Sequence, residues 1–233
     1  MSTGIGVVVP HDMALDRELW RWVPDDVSLH LTRTPHSLLE VTVEMVTLIS
    51  DYNDLAQGVK NLVATESKVY AYACTSGSFV RGRAGESELV QAMIAAGAPA
   101  AVTTTGALSQ AVSRLGASRV SVATPYEKEL TVRLGDFLVE SGVQMVASAH
   151  LGLARDIAKV PYETTAALVR EADHPDADAI VVSCTNLATY DLIAPLEAEL
   201  GKPVVTANQA TIWAALGAMG RRGVGPGQRL LQV

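Results

Sequence analysis

The 233-residue sequence predicts an α/β protein built as two pseudo-symmetric halves, each a four-stranded parallel sheet with helices on both faces, with the site in the cleft between them. Three observations predict it. Short apolar runs alternate with helix-period segments from end to end, which is the order of parallel strands joined by crossover helices. Matching strings recur at a spacing of about 110 residues, as a duplicated half would produce. The chain's two cysteines, Cys74 and Cys184, each close one of the apolar runs.

The elements follow in order. Ile5–Val9 is the first strand and ends in Pro10. His11 and Asp12 are either acid/base groups or the solvated start of a helix over Met13–Trp22, and the helix start is favoured. A second strand covers Val27–Thr32 and a third Val69–Ala73, which runs into Cys74-Thr75-Ser76-Gly77-Ser78. The next clear helix is Glu86–Ala96, so the Cys74 loop reads as an anion-binding nest rather than a simple cap. Ala100–Thr103 completes the first set of four strands. The second set is Val120–Ala123, Gln144–Ala149, Ala179–Ser183 and Val204–Thr206. After Cys184, Thr185 or Asn186 is expected to cap a helix from Tyr190 to Leu200, ahead of Gly201 and Pro203.

The repeat pairs Gly6-Val-Val-Val-Pro10 with Val120-Ser-Val-Ala-Thr-Pro125, the Cys74 strand with the Cys184 strand, and Ala101–Ala107 with Val204–Ala210. Three matches in one order outweigh the ordinary recurrence of valine strands in α/β chains. The halves are read as residues 1–106, completed by 207–233, and residues 107–206. The tail Gly220–Leu231 lacks a Gly-x-x-x-x-Gly-Lys pattern and is given no role beyond closing the fold.

Composition bounds the partners. A net charge of −7 disfavours nucleic acid and anionic membrane, which both need a basic surface. The 48% hydrophobic content supplies an ample core, and no run reaches the roughly 20 apolar residues of a membrane span. With no secretory leader pattern, the expected compartment is the cytoplasm, where thiols stay reduced. Five scattered histidines and two distant cysteines show no metal-ligand spacing, so no metal is expected. Trp20, Trp22 and Trp213 fit either a homo-oligomer interface or the core.

A free cysteine is often an inert buried group, but two at equivalent strand ends point to chemistry. Ligands of open α/β sheets bind outside the carboxyl ends of strands. A thiol beside a helix N-terminus is expected to have a lowered pKa. Small polar residues after each cysteine offer hydroxyls and backbone N–H groups to a carboxylate or enolate. Tyr126 is either a phenol donor to the same site or a half-buried surface tyrosine.

Pro10 after the triple valine, Cys74-Thr75-Ser76, Thr124-Pro125-Tyr126, Ser183-Cys184-Thr185-Asn186 and the closing Gly-x-Gly-x-Arg229-Leu-Leu resemble the aspartate/glutamate racemase superfamily. Within it they are most similar to the branch holding maleate cis-trans isomerase and arylmalonate decarboxylase, over nearly the whole chain. The resemblance implies cofactor-independent chemistry on a small mono- or dicarboxylic acid, with Cys74 as nucleophile or base and Cys184 as the opposing acid. It implies substrate binding by Pro10, Thr75, Ser76, Tyr126, Thr185 and Asn186. Cysteine at 74 favours an isomerase over a decarboxylase, which has glycine there. Pro10-His11-Asp12-Met13 departs from the Pro-Ser-Ser-Asn of maleate isomerases. The alternatives are a racemase, a decarboxylase-like lyase, or a non-enzyme that binds carboxylates or senses oxidants through its thiols.

Overall fold

The computed structural model describes residues 3–233, so the first two residues of the expected 1–106 half lie outside the described residues. β1 (Thr3–Val9), β2 (Val27–Arg33), β3 (Val69–Tyr72) and β4 (Ala101–Thr103) form one parallel sheet in the order β2-β1-β3-β4. β5 (Arg119–Thr124), β6 (Gln144–His150), β7 (Ala179–Val182) and β8 (Val204–Thr206) form a second in the equivalent order β6-β5-β7-β8. The expected pair of four-stranded parallel sheets is therefore present, and each expected strand lies within a residue or two of an observed one. In both sheets the order reverses beside the first strand, which opens a crevice at the carboxyl ends of β1 and β3 and of β5 and β7.

The strands are apolar on both faces because helices cover both faces. From β1, Ile5, Val7 and Val9 enter a core with Leu19, Trp22, Ile212 and Leu216, whereas Val8 points the other way, into the core that holds Val59. On that second face Gly58 of α3 (Tyr52–Leu62) lies so close to β1 that an added Cβ would stand 2.9 Å from Val8. The larger core runs without a break from Tyr70 and Tyr72 through Phe79 and Phe137 to Val181, so both sheets share it.

Helices α6 (Thr104–Arg114) and α10 (Ala207–Ala218) follow the last strand of each sheet and pack on one another. Thr103 and Thr206 occupy equivalent N-caps. The Thr104 and Thr211 hydroxyls meet at 2.8 Å across this junction. Position 106 thus falls inside α6.

Two helical expectations need correction. Only Asp16–Leu19 (α1) and a 3-10 turn over Trp20–Trp22 form where Met13–Trp22 was expected. The cause is tertiary: Asn186 takes the Ala14 N–H and donates to the Asp12 carbonyl, holding residues 12–14 as a loop. Conversely, α4 (Thr75–Phe79) begins directly after Cys74 where no helix was read, and α5 spans Gly82–Ala95. Its Ser-Gly-Ser composition suits a cap or turn in isolation. Here a buried network holds it, with the Ser78 hydroxyl donating to the Cys74 and Thr75 carbonyls and meeting Thr105 at 2.6 Å.

Long-range polar ties join the two halves. α9 spans Tyr190–Leu200 as expected, but its N-cap is Thr189, not Thr185 or Asn186, and that cap is held by Glu18 of α1. The buried Glu18 carboxylate accepts the Thr189 N–H at 3.0 Å and the Thr189 hydroxyl at 2.9 Å, while burial raises its pKa. The tail adds a second tie: Gln228 accepts from Trp22 Nε1 and from Gln209, and Arg229 binds Glu197 and the Gly201 carbonyl. Trp22 is core; Trp20 is largely exposed. Among the described residues no helix is long and apolar enough to cross a membrane. Glu18→Ala would strand the Thr189 donors, so chemical denaturation should report a loss of about 1–3 kcal/mol. An unchanged midpoint would show that water replaces this cap.

Candidate active site

One pocket, with an empty volume of about 340 Å³ including its mouth, lies where the two crevices face each other. Pro10 enters from the end of β1, Cys74, Thr75 and Ser76 from the end of β3, Tyr126 from beyond β5, and Cys184, Thr185 and Asn186 from beyond β7. All eight residues singled out in the sequence thus line it. Val41, Met45 and Ile49, from the segment leading into and through α2 (Val43–Ile49), join Ile157 as an apolar wall. Asp12 completes the lining and is its one charged side chain.

The two thiols are held differently. Cys74 is the N-cap of α4 in extended backbone (φ −141°), and its Sγ receives the Gly77 N–H at 3.4 Å. The Tyr72 phenol backs it while donating to the Ile49 carbonyl at 2.6 Å. Gly77 is required at this approach, because a Cβ there would collide with the Tyr72 hydroxyl and stand 3.0 Å from Cys74 Sγ. Cys184 caps no helix. It sits at φ +96°, a conformation that L-residues with a Cβ rarely adopt, and its Sγ receives the Asn186 N–H at 3.4 Å. The Tyr126 phenol reaches Cys184 and accepts a hydrogen bond from Ser183 at 3.4 Å.

The expected lowering of the thiol pKa is overturned. Burial pushes Cys74 up from 9.0 to about 11, against the Gly77 N–H, the Tyr72 phenol and Ser76, which favour the thiolate. Burial pushes Cys184 up to about 12, opposed by the Asn186 N–H and the Tyr126 phenol. Asp12 adds its negative charge against both thiolates, and Cys74 adds to Cys184. A few backbone dipoles do not offset the loss of hydration when no cation lines the pocket. Both sulfurs therefore carry protons at neutral pH and both are free of disulfide.

The remaining polar groups are neutral. Thr75 is buried and its Oγ1 has no hydrogen-bond partner, a state that buried hydroxyls seldom keep without a ligand. Asn208 donates to the Thr185 carbonyl at 3.0 Å and fixes that loop. Asn186 serves as a strut between the Cys184 loop and residues 12–14 rather than as a helix cap. The sequence reading leaves out Tyr72, and it names Asp12 as a possible acid/base group while favouring a helix start. Tyr72 was accessible by the strand period, since it lies two residues before Cys74 on the same face. Asp12 was discounted as a helix start. Among the described residues no group of three or more His, Cys, Asp or Glu is placed to hold a metal ion.

Two equivalent parallel sheets meeting at one thiol-lined pocket define a duplicated α/β enzyme with its site between the repeats. The chain belongs to the arylmalonate decarboxylase family, whose profile matches residues 40–231. It is 35% identical over 160 residues to arylmalonate decarboxylase of Bordetella bronchiseptica, covering 65% of this chain and 67% of that one. It is 31% identical over 167 residues to maleate isomerase of Pseudomonas putida, covering 68% and 67%. Among solved structures, a liganded arylmalonate decarboxylase double mutant, with a glycine changed to cysteine and a cysteine to serine, superposes with a TM-score of 0.90 at 29% identity, covering 99% of both chains. A maleate isomerase from Pseudomonas putida S16 superposes with 0.88 at 26% identity, covering 99% and 98%.

The Cys184 backbone generates a stability prediction. Cys184→Gly and Cys184→Ala both remove the thiol, but only glycine relaxes φ +96°. The glycine variant should be the more stable of the two by about 1 kcal/mol in denaturant unfolding. Equal stability would mean that the backbone there is unstrained.

Proposed function

We propose that the protein is a cofactor-independent cytoplasmic isomerase of a small carboxylic acid, with Cys74 as nucleophile and Cys184 as acid. The observation that carries this reading is the meeting of both thiols with neutral hydroxyl and amide donors in one pocket. A carboxylate would occupy the donors of Thr75, Ser76, Tyr126, Thr185 and Asn186, with Pro10 shaping the wall, and would give the Thr75 hydroxyl the partner it lacks. The same donors suit the enolate that follows addition.

For an unsaturated acid the atoms balance as follows. Cys74 gives its proton to solvent and its sulfur bonds to one alkene carbon, while the π electrons move toward the carboxylate as an enolate. Cys184 donates its proton to the second carbon, the former double bond rotates, and Cys184 takes a proton back as the C–S bond breaks. Thiolates are nucleophilic enough for this addition. A protonated Cys184 is the form an acid needs, which its raised pKa supports. Decarboxylation is the second reading, favoured by the apolar wall of Val41, Met45, Ile49 and Ile157, which suits an apolar substituent. The division at residues 106/107 and 206/207 into two structural halves is part of the same proposal, with one thiol from each.

Cys74→Ala and Cys184→Ala should each cut turnover by about 10²-fold or more with unchanged circular dichroism. Full activity in both would end the reading. Reaction in deuterated water separates the chemistries: isomerisation changes alkene geometry, racemisation exchanges the α-hydrogen, and decarboxylation releases carbon dioxide.

The raised thiol pKa values set the pH dependence. Only the thiolate of Cys74 attacks, and it ionises near pH 11, so kcat/KM should climb steadily from about pH 7 to about pH 9. Cys184, still protonated in that range, imposes no fall. A plateau near neutral pH would show that the thiolate is already formed in the free enzyme.

A further inference from the structure

We propose that Asn208 is a positioning residue for Cys184: it holds the peptide unit that aims a backbone N–H at the Cys184 sulfur. Its bearing on turnover rests on the reading of Cys184 as the acid; the contact itself does not. The Asn208 side-chain amide donates to the Thr185 carbonyl at 3.0 Å. That carbonyl and the Asn186 N–H belong to one peptide bond, and the Asn186 N–H reaches Cys184 Sγ at 3.4 Å. A trans peptide is planar with its C=O and N–H pointing in opposite directions, so fixing one end aims the other. Hydrogen bonds in such a chain polarise one another, which makes the N–H a stronger donor to sulfur.

Cys184 depends on such a device because no helix supplies one. Cys74 also receives an N–H at 3.4 Å, from Gly77, but there the first turn of α4 holds the donor. Cys184 sits at φ +96° outside any helix, a conformation that persists only where the surroundings enforce it. Asn208 is placed to do so: it is buried in the first turn of α10, and its Oδ1 has no hydrogen-bond partner, so it is engaged through its NH2 end. The same side chain reaches the Glu18 carboxylate, which holds Thr189 at the far end of the Cys184 loop. The contact recurs in the other half. Asn208 stands two residues after the Thr206 cap, as Thr105 stands two residues after the Thr103 cap. The Thr105 hydroxyl donates at 3.0 Å to the carbonyl of Thr75, which follows Cys74 as Thr185 follows Cys184. One contact made by different side chains at equivalent positions of a duplicated fold is a built feature. Only after Cys184 does the held peptide also carry the N–H that meets the sulfur.

The test compares wild type with Asn208→Leu, which removes the donor at similar volume, and with Asn208→Ser, whose hydroxyl stops one bond short. Each protein is alkylated with iodoacetamide at pH 9, and both cysteines are followed by peptide mass spectrometry. Burial pushes the Cys184 thiol up, and the Asn186 N–H is the leading contact against it. Because the thiolate is the reacting form, a misaimed N–H should slow Cys184 by about threefold or more in Asn208→Leu, the higher nucleophilicity of a more basic sulfur offsetting part of the loss. Cys74 should keep its wild-type rate. Asn208→Ser should slow Cys184 in the same direction, and it carries the test if the leucine variant does not fold. Unchanged alkylation of Cys184, a faster Cys184, equal changes at both cysteines, or failure of both variants to fold overturns the proposal. The measurement needs no substrate, so it is separate from the proposed chemistry, which fails on its own if Cys184→Ala is fully active.

Discussion

The constraint on which the site depends is the burial of two thiols in a pocket that offers no cation. Every local feature around them answers that burial. The Gly77 and Asn186 N–H groups point at the sulfurs, and the Tyr72 and Tyr126 phenols stand behind them. These contacts favour the thiolates without overcoming desolvation, so the resting pocket holds two protons on sulfur. This guards the thiols, since thiolates are the forms that oxidants attack.

Much of the architecture was legible because it rests on period and repetition. Eight apolar runs, their alternation with helices and the recurrence of cysteine at equivalent ends are properties of the chain alone. All eight selected residues line one pocket because parallel strands must present their carboxyl ends on one side. What the chain alone concealed was set by contacts between distant segments. Residues 12–14 look like a helix start until Asn186, some 170 positions away, takes their backbone groups. The Thr75–Phe79 helix has poor intrinsic propensity and exists because Ser78 and Thr105 meet beneath it. The thiol pKa values were misjudged for a related reason: sequence reveals a nearby helix terminus but not how completely the sulfur is removed from water.

The two halves share topology without sharing detail, and differences fall around the two cysteines. The strand order, the threonine caps of α6 and α10, and the placement of each cysteine repeat. Around Cys74 the chain turns at once into a helix, through a glycine that Tyr72 leaves no room to replace. Around Cys184 the backbone is forced to a positive φ and wanders for five residues before α9 begins. Departures from local preference concentrated at one place are a known accompaniment of function.

That asymmetry bears on how the proposed roles divide. Cys74 has a helix terminus, three thiolate-favouring contacts and the lower pKa, near 11; Cys184 has two such contacts and a pKa near 12. The Cys74 charge is among the influences on Cys184, so the two thiols titrate as an interacting pair. The negative charge of Asp12 opposes both ionisations. A duplicated fold supplies the matched pair of cysteines, and divergence of the loops after β3 and β7 gives the two thiols different surroundings.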